Sequence, residues 1–468
     1  MYRTSQYRIG KNSRLHRYCG ILCIASAALY NRANFIVRQY ASAVVAMKEY
    51  RPLYVNQMEI LQLVNDTLAG TGHLGQGAWL SYHALDYLLK TVKDETYYAL
   101  PAQANQQTLK LLLRDYRSFF ESVRAYGRNP SAFTGRPRMP KYVSAGKGKT
   151  VILTNQICRI REDRVLKFPG TKEVLRLGGH LPEGKLKEVR IKPCGVDYTI
   201  DVVMEVLGTG ITPQTNEELL GELGNRTDIS DLRIMAMDPG VDNLVAVVNN
   251  FGENPFVIKG GEIKSINRYY NKEIARLSAC AMTCNGRYRT RRMEAVTEKM
   301  RRRIKDRFHK ISRQLADYAR NHHVDVIVMG HNVFQKQRAG MGHTNNQNFV
   351  QIPMKIFADM LRYKLAEYGI RFVEVEESYT SKADFLAMDA IPEYGKEEGM
   401  AQGFSGTRIK RGLYLHGDGT VTNADINGAA NILRKVFPKV TQWDRGIVDM
   451  PCSSGCATDP EGSCRTAA

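Results

Sequence analysis

The chain has 468 residues, 43% hydrophobic and 24% charged, a mixture that excludes a wholly disordered or collagen-like polymer. Its 67 Lys and Arg against 47 Asp and Glu leave a formal net charge of +20, which predicts attraction to a polyanion, either nucleic acid or an anionic membrane surface. A chain of this length exceeds what one core usually supports, so two or three domains are expected.

Residues 14 to about 125 read as mostly helical. The apolar run Ile21 to Tyr30 is interrupted by Asn31 and Arg32 and is too short to span a bilayer, so no membrane partner is expected. Farther on, Leu111, Leu112, Tyr116, Phe119, Phe120 and Val123 recur at helical spacing beside Arg114, Arg117 and Arg124. Pro130, Gly135, Pro137 and Pro140 break that helix. The stretch from Phe133 to Tyr142 is basic, stiff and aromatic, which suits either a solvated linker or a phosphate-contacting strip. Residues 150 to 207 alternate as short strands, with a hairpin turn at Pro193-Cys194-Gly195, and predict a small β domain. Residues 208 to 230 are polar and acidic and read as a linker.

From Asp231 the pattern changes. A strand at Arg233–Met237 runs into the turn Asp238-Pro239-Gly240, and Leu244–Val248 completes a hairpin. A long basic helical region fills about 262 to 320. An apolar strand at Val324–Met329, an amphipathic helix over about 353 to 368 and a strand at Phe372–Val375 form a strand–helix–strand unit, which implies a parallel pair. Beyond 439 the chain reads as a flexible tail. The expected organisation is therefore a nucleic-acid recognition lobe over 1–230, a second domain over 231–438 and a tail over 439–468. Nine cysteines, odd in number and thinly spread, indicate a reducing, cytoplasmic compartment.

Three carboxylate positions stand out: Asp238 ends one strand, Glu376 and Glu377 end another, and Asp425 lies where a helix begins. Taken singly, such acids are usually turn-formers or N-caps. Together, at the corners of one sheet, they are the donor set of a hard cation such as Mg²⁺ or Mn²⁺, which offsets their mutual repulsion. Two such ions activate water and stabilise the leaving oxygen in phosphodiester cleavage.

Several motifs, in order, resemble the TnpB family of transposon-encoded RNA-guided DNA nucleases, which is related to the compact type V CRISPR effectors. They are the Phe133 to Tyr142 strip, Asp238-Pro-Gly-Val-Asp-Asn243, Gly260-Gly-Glu-Ile-Lys264, Tyr379-Thr-Ser-Lys382, Phe404-Ser-Gly-Thr-Arg408-Ile-Lys-Arg411 and Asn423-Ala-Asp425-Ile-Asn-Gly428. The resemblance covers about 100 to 438. It implies an α+β multidomain protein: a helical recognition region and small β domain, followed by an RNase H-like (RuvC-type) α/β nuclease domain. It also implies Asp238 and Asp425 as metal-binding catalytic acids, a guide RNA, and a double-stranded DNA target read beside a short flanking motif.

The family's middle glutamate is absent from the strand that here reads Met329-Gly330-His331. Neighbouring strands lie only ~4.8 Å apart, so a glutamate one strand over can reach the same ion. Glu377 matches the position used by relatives with that rearrangement, with Glu376 as the substitute. His331 suits softer ions than Mg²⁺, so an orienting or structural role is expected of it. The paired cysteines that many family members carry after the Thr-Ser motif are also missing, so no structural zinc is expected.

Nucleic-acid contacts are expected from Arg136, Arg138, Lys141, Tyr142, Lys264, Arg291, Arg292, Arg301, Arg302, Arg303, Lys382, Arg408, Lys410 and Arg411. The charge is concentrated: residues 101–195 carry a net +13 and residues 287–310 a net +8. Three readings remain open from the sequence: a metal-dependent RNA-guided endonuclease, an RNA-guided binder that does not cut, and an RNA-independent transposase or resolvase. The guide's form, the flanking motif, the oligomeric state and the choice between transposon nuclease and CRISPR effector are also open.

Overall fold

The computed structural model describes residues 2–74, 79–178, 181–207, 214–286, 290–331, 352–392, 403–410, 412–448 and 452–454. It divides into two compact units, Met1–Gly208 and Thr209–Ala468.

The first unit opens with β1 (Tyr2–Ile9), to which the sequence reading assigned no element. Its residues are polar because only one face is covered, and it pairs antiparallel with β7 from Tyr2↔Glu205 to Ile9↔Tyr198. Helices α1 (Leu15–Lys48), α2 (Val55–Leu68), α3 (Tyr82–Thr91), the short α4 (Glu95–Tyr98) and α5 (Ala102–Arg128) follow. Strands β2 (Val151–Thr154), β6 (Lys185–Cys194) and β7 (Asp197–Glu205) complete a sheet of order β1-β7-β6-β2, and β3 (Arg159–Ile160), β4 (Val165–Lys167) and β5 (Val174–Arg176) form a smaller one. The expected hairpin turns at Cys194–Asp197.

Helix α1 is long and apolar enough to cross a membrane by length and composition, although its apolar run alone is short. Cys19, Leu22, Cys23, Leu29, Tyr30, Ile36 and Val37 place its stripe in the unit's core instead. Buried Asn34 accepts from Tyr116 Oη (2.6 Å) and donates to Pro140 O (3.1 Å), while Asn31 exchanges two 2.8 Å hydrogen bonds with Val143. The Pro-rich strip is thus moored along α1.

In the second unit, residues 214 onward are not a linker. Thr215 and Glu218 form a capping box for α6 (Asn216–Gly224), which buries Leu219 and Leu223 in the core of this unit. The unit boundary accordingly falls at 208/209 rather than 230/231. Strands β8 (Ile234–Pro239), β9 (Asn243–Asn249) and β10 (Phe256–Lys259) form an antiparallel meander. Helices α7 (Gly261–Asn285) and α8 (Arg291–Asn321) lead to β11 (Val326–His331), α9 (Met354–Ala366) and β12 (Arg371–Glu376). β11 lies parallel to both β8 and β12, as the strand–helix–strand pattern requires.

A three-stranded sheet, β13 (Thr407–Lys410), β14 (Leu413–Leu415) and β15 (Val421–Asn423), precedes α10 (Ala424–Val436). The chain beyond 438 departs from a flexible tail: a 3₁₀ turn at Arg445–Val448 buries Ile447 and Val448, and β16 (Cys452–Ser454) adds in parallel to β10. The apolar side chains Ile447 and Val448 supply the burial that ties this segment to the second unit. The large sheet runs β12-β11-β8-β9-β10-β16.

Candidate active site and nucleic-acid face

The expected acids come from three separate segments of the second unit. Asp238 lies at the end of β8, Glu377 directly after β12, and Asp425 in the first turn of α10. Asn423 caps that helix, accepting from the backbone N–H of Asp425 (2.9 Å) and Ile426 (3.3 Å), which fixes where Asp425 emerges. Its carboxylate accepts from Asn243 Nδ2 (2.7 Å) and Arg408 Nη2 (3.2 Å).

Two glycines make the convergence feasible. Val375 pairs with Gly330 across the β11–β12 register. A Cβ at Gly330 would fall 2.9 Å from Glu377 Oε2 and 2.6 Å from Ile432 Cδ1, and one at Gly428 would fall 2.5 Å from Asp238 Oδ2. The space vacated in β11 is therefore the space beside Glu377. Desolvation, and then the fields of Glu377 and Asp425, push the Asp238 carboxyl well above the usual aspartate range; Arg408 pulls the other way. The three acids thus share one electrostatic cluster. Among the described residues, no three His, Cys, Asp or Glu side chains are drawn together tightly enough to form a ready-made metal site. The donor set is oxygen-only and anionic, which suits Mg²⁺ or Mn²⁺, and closing on an ion would require the carboxylates to tighten.

Glu376 is engaged elsewhere. Its carboxylate accepts from Ser378 N (2.7 Å) and Lys435 Nζ (2.9 Å). Burial alone would raise its pKa, but these bonds outweigh burial and hold it below the usual glutamate range. His331 ends β11, half-buried and opposite Glu376.

Sequence reasoning missed the residues that hold Glu377. Buried Asn427 and Asn431 of α10 clamp the turn after it: Asn427 donates to Ala383 O (2.8 Å) and accepts from Phe385 N (3.1 Å), and Asn431 donates to Thr380 O (3.0 Å). Thr380 Oγ1 donates to Glu377 O (2.8 Å), and Tyr379 takes a left-handed φ of 65°, a strained state that the clamp sustains. Their only sequence signal was two asparagines four apart in a helix, where Asn is a poor helix former.

The expected nucleic-acid residues divide. Arg136, Arg138, Lys141 and Tyr142 are exposed on the moored strip, with Arg38 stacked over the Tyr142 ring at 5.0 Å; Phe133 packs against Tyr126. On α8, Met293, Ile304, Phe308, Ile311 and Leu315 face the core, leaving Arg291, Arg292, Arg301 and Arg303 exposed and Arg302 half-buried. Arg301 pairs with Glu298 (2.8 Å). Lys264 pairs with Asp242 and is the least available for a phosphate. Lys382 and Lys410 are exposed, Arg408 is drawn to Asp425, and Arg411 lies outside the described residues.

Residues 229–335 match the family model described as a probable transposase, OrfB_IS605, and residues 355–432 match the Cas12f1-like TNB domain. No curated protein matches the chain. Among solved structures, the chain is similar to a Cas12f1–sgRNA–target DNA complex (13% identity, 92% of this chain and 98% of that one, TM-score 0.31). A CRISPR-Cas12f ternary complex (12%, 91% and 82%, TM-score 0.32) and the mini-RNA-guided endonuclease CRISPR-Cas_phi3 (9%, 93% and 92%, TM-score 0.41) are also similar; none of these likenesses is high enough to carry an argument. The expected kinship therefore rests on the two family matches, which fall in order along the second unit: residues 229–335 are similar to the OrfB_IS605 (TnpB) proteins and residues 355–432 to the Cas12f1-like TNB domain.

Proposed function

We propose that the protein is an RNA-guided, metal-dependent DNA endonuclease whose second unit is an RNase H-like, RuvC-type nuclease domain. The observation that carries this reading is the shared electrostatic cluster of Asp238, Glu377 and Asp425, drawn from three distant chain segments and flanked by glycines that leave room for it. The family matches and the two basic blocks supply the context.

Asp238, Glu377 and Asp425 would hold Mg²⁺, which supplies an activated water and stabilises the charge that develops on the phosphate. Asn243 orients the Asp425 carboxylate. The Asn427–Asn431 clamp orients Glu377. Lys435 withdraws Glu376 from the cluster, leaving a single carboxylate to serve from β12. The exposed arginines of α8 and the strip on α1 neutralise phosphates of the guide and target, and base pairing selects the sequence.

A second reading, a binder that does not cut, is favoured by the open stance of the three acids and by the missing carboxylate at position 330. One experiment separates the two. The protein is purified with whatever RNA accompanies it, the RNA is sequenced, and the complex is incubated with matching duplex DNA and Mg²⁺. Cleavage that chelation and Asp238→Ala abolish is expected. Stable binding without nicking would favour the second reading. Recovery of no defined RNA, with sequence-independent cutting, would favour an RNA-independent transposase-type nuclease.

A further inference from the structure

Helix α5 carries a feature that the nuclease chemistry does not use. Tyr116, Arg117, Phe120 and Arg124 fall at i, i+1, i+4 and i+8, so they share one side of the helix. Trp79, just before α3, stands over them: its ring centroid is 4.7 Å from that of Phe120, edge to face, and 5.3 Å from that of Tyr116. These rings line a cavity of about 260 Å³ with Arg117 and Arg124 at its rim. Tyr116 is fully buried and hydrogen-bonded to Asn34, so it forms the floor. Trp79 remains 37% exposed, so part of its ring faces solvent.

We propose that this cavity captures one unpaired nucleotide, its base stacked on Trp79 and Phe120 and its phosphate held by Arg117 and Arg124. An aromatic platform flanked by guanidinium groups is what an extruded base with its phosphate requires, and each stacked base contributes ~1–3 kcal/mol. The cavity's size, about 260 Å³, suits a single base and not a peptide helix. Glu121 also lines it and sets its polarity: it repels a second phosphate and can accept from a base amino group. The inference deepens the nucleic-acid reading above and rests on it.

The test uses the full chain with Trp443→Phe, which leaves Trp79 as its one tryptophan. Trp79 fluorescence is titrated with short single-stranded RNA, single-stranded DNA of the same sequence, an abasic DNA strand and a blunt duplex, with filter binding in parallel. Quenching that saturates with RNA, DNA or both is expected, and which strand quenches identifies the source of the nucleotide. The abasic strand and the duplex should bind without quenching. Trp79→Ala should weaken single-strand binding about 5- to 100-fold, and Trp79→Phe should recover most of it. Arg117→Gln with Arg124→Gln, at exposed positions that leave the core intact, should weaken binding without abolishing residual quenching. Single strands that bind equally well to Trp79→Ala, or that leave fluorescence unchanged at saturation, would overturn the pocket while leaving the nucleic-acid reading in place. Failure of every nucleic acid to bind would overturn both.

Discussion

Asp384→Ala is predicted to unfold the second unit far more readily than its place in a surface turn suggests. Asp384 is fully buried, and its carboxylate meets His416 Nδ1 (2.5 Å) and accepts from the backbone N–H of Gly417 (2.7 Å), Leu386 (2.9 Å) and Ala387 (3.2 Å). His416 Nε2 is in turn 2.7 Å from Thr422 Oγ1. This one side chain thus ties the turn after β12 to the β14–β15 turn. Each buried donor stripped of its partner costs ~1–3 kcal/mol, and Asp384 satisfies several of them. Water entering the vacated space recovers part of this, so the expected loss is about 3–5 kcal/mol, a large share of a typical domain's ~5–15 kcal/mol. Asp384→Asn keeps the shape and half the acceptors and should cost about 1–2 kcal/mol.

Urea unfolding of the full chain reads this directly, because Trp443 packs 6.5 Å from the Phe385 ring. The pH dependence has a definite sign. Burial alone would raise the Asp384 pKa, but the bonds from His416 and the backbone amides of Gly417 and Ala387 outweigh it and hold the pKa below the usual aspartate value. Its stabilisation is therefore present above the unfolded value of about 4 and lost as pH falls through the lower folded value. An Asp384→Ala midpoint equal to wild type, or the same acid limb in both proteins, would refute the reasoning.

Lys364 is almost fully buried between α8 and α9, donating to His309 O and Ser312 Oγ, and desolvation lowers its pKa to about 8. A folded value below the unfolded one means that stability rises as pH climbs from about 8 toward 10.5; Lys364→Met should abolish that rise and stabilise the protein at pH 7 by up to about 3 kcal/mol, measured by thermal melts across that range. Gly330→Ala should reduce DNA cleavage at least ~100-fold with little change in nucleic-acid affinity, since its methyl group would meet Glu377 and Ile432; single-turnover kinetics beside binding isotherms separate the two effects. Replacing Arg291, Arg292 and Arg303 by Gln should lower the slope of log K against log salt by about 2–3, because each phosphate contact contributes ~0.7–0.9. An unchanged slope would place the nucleic acid away from α8.

The candidate site was legible where its chemistry is local in sequence. Asp238 ends an apolar strand, Asp425 follows an N-cap, and Glu377 directly follows a strand whose parallel neighbour presents Gly330; their placement is readable from the pattern, while their role as a set and the choice of Glu377 over Glu376 came from the family resemblance, with strand parity in support. The supports were not legible because each joins distant segments. Asn243 reaches Asp425 across 182 positions, and Lys435 reaches Glu376 across 59. Nor does a lone histidine at 416 announce an aspartate 32 residues earlier. The same limit explains the fold differences. β1 is polar because one face is uncovered, and α6 is short and acidic enough to pass for a linker until Leu219 and Leu223 find a core. The basic strip reads as a linker by composition, and only its contacts with Asn31, Asn34 and Arg38 show that it is moored.

The central claim is that the carboxylate lost from β11 is supplied from the end of β12, by Glu377 and not by its neighbour. Cleavage of guide-matched DNA by the purified ribonucleoprotein in Mg²⁺ tests it with two single variants. The account predicts that Glu377→Gln abolishes cutting while target binding persists. It also predicts that Glu376→Gln, which weakens only the contacts of that side chain with Ser378 and Lys435, cuts within a few-fold of wild type. Undiminished cutting by Glu377→Gln would contradict it.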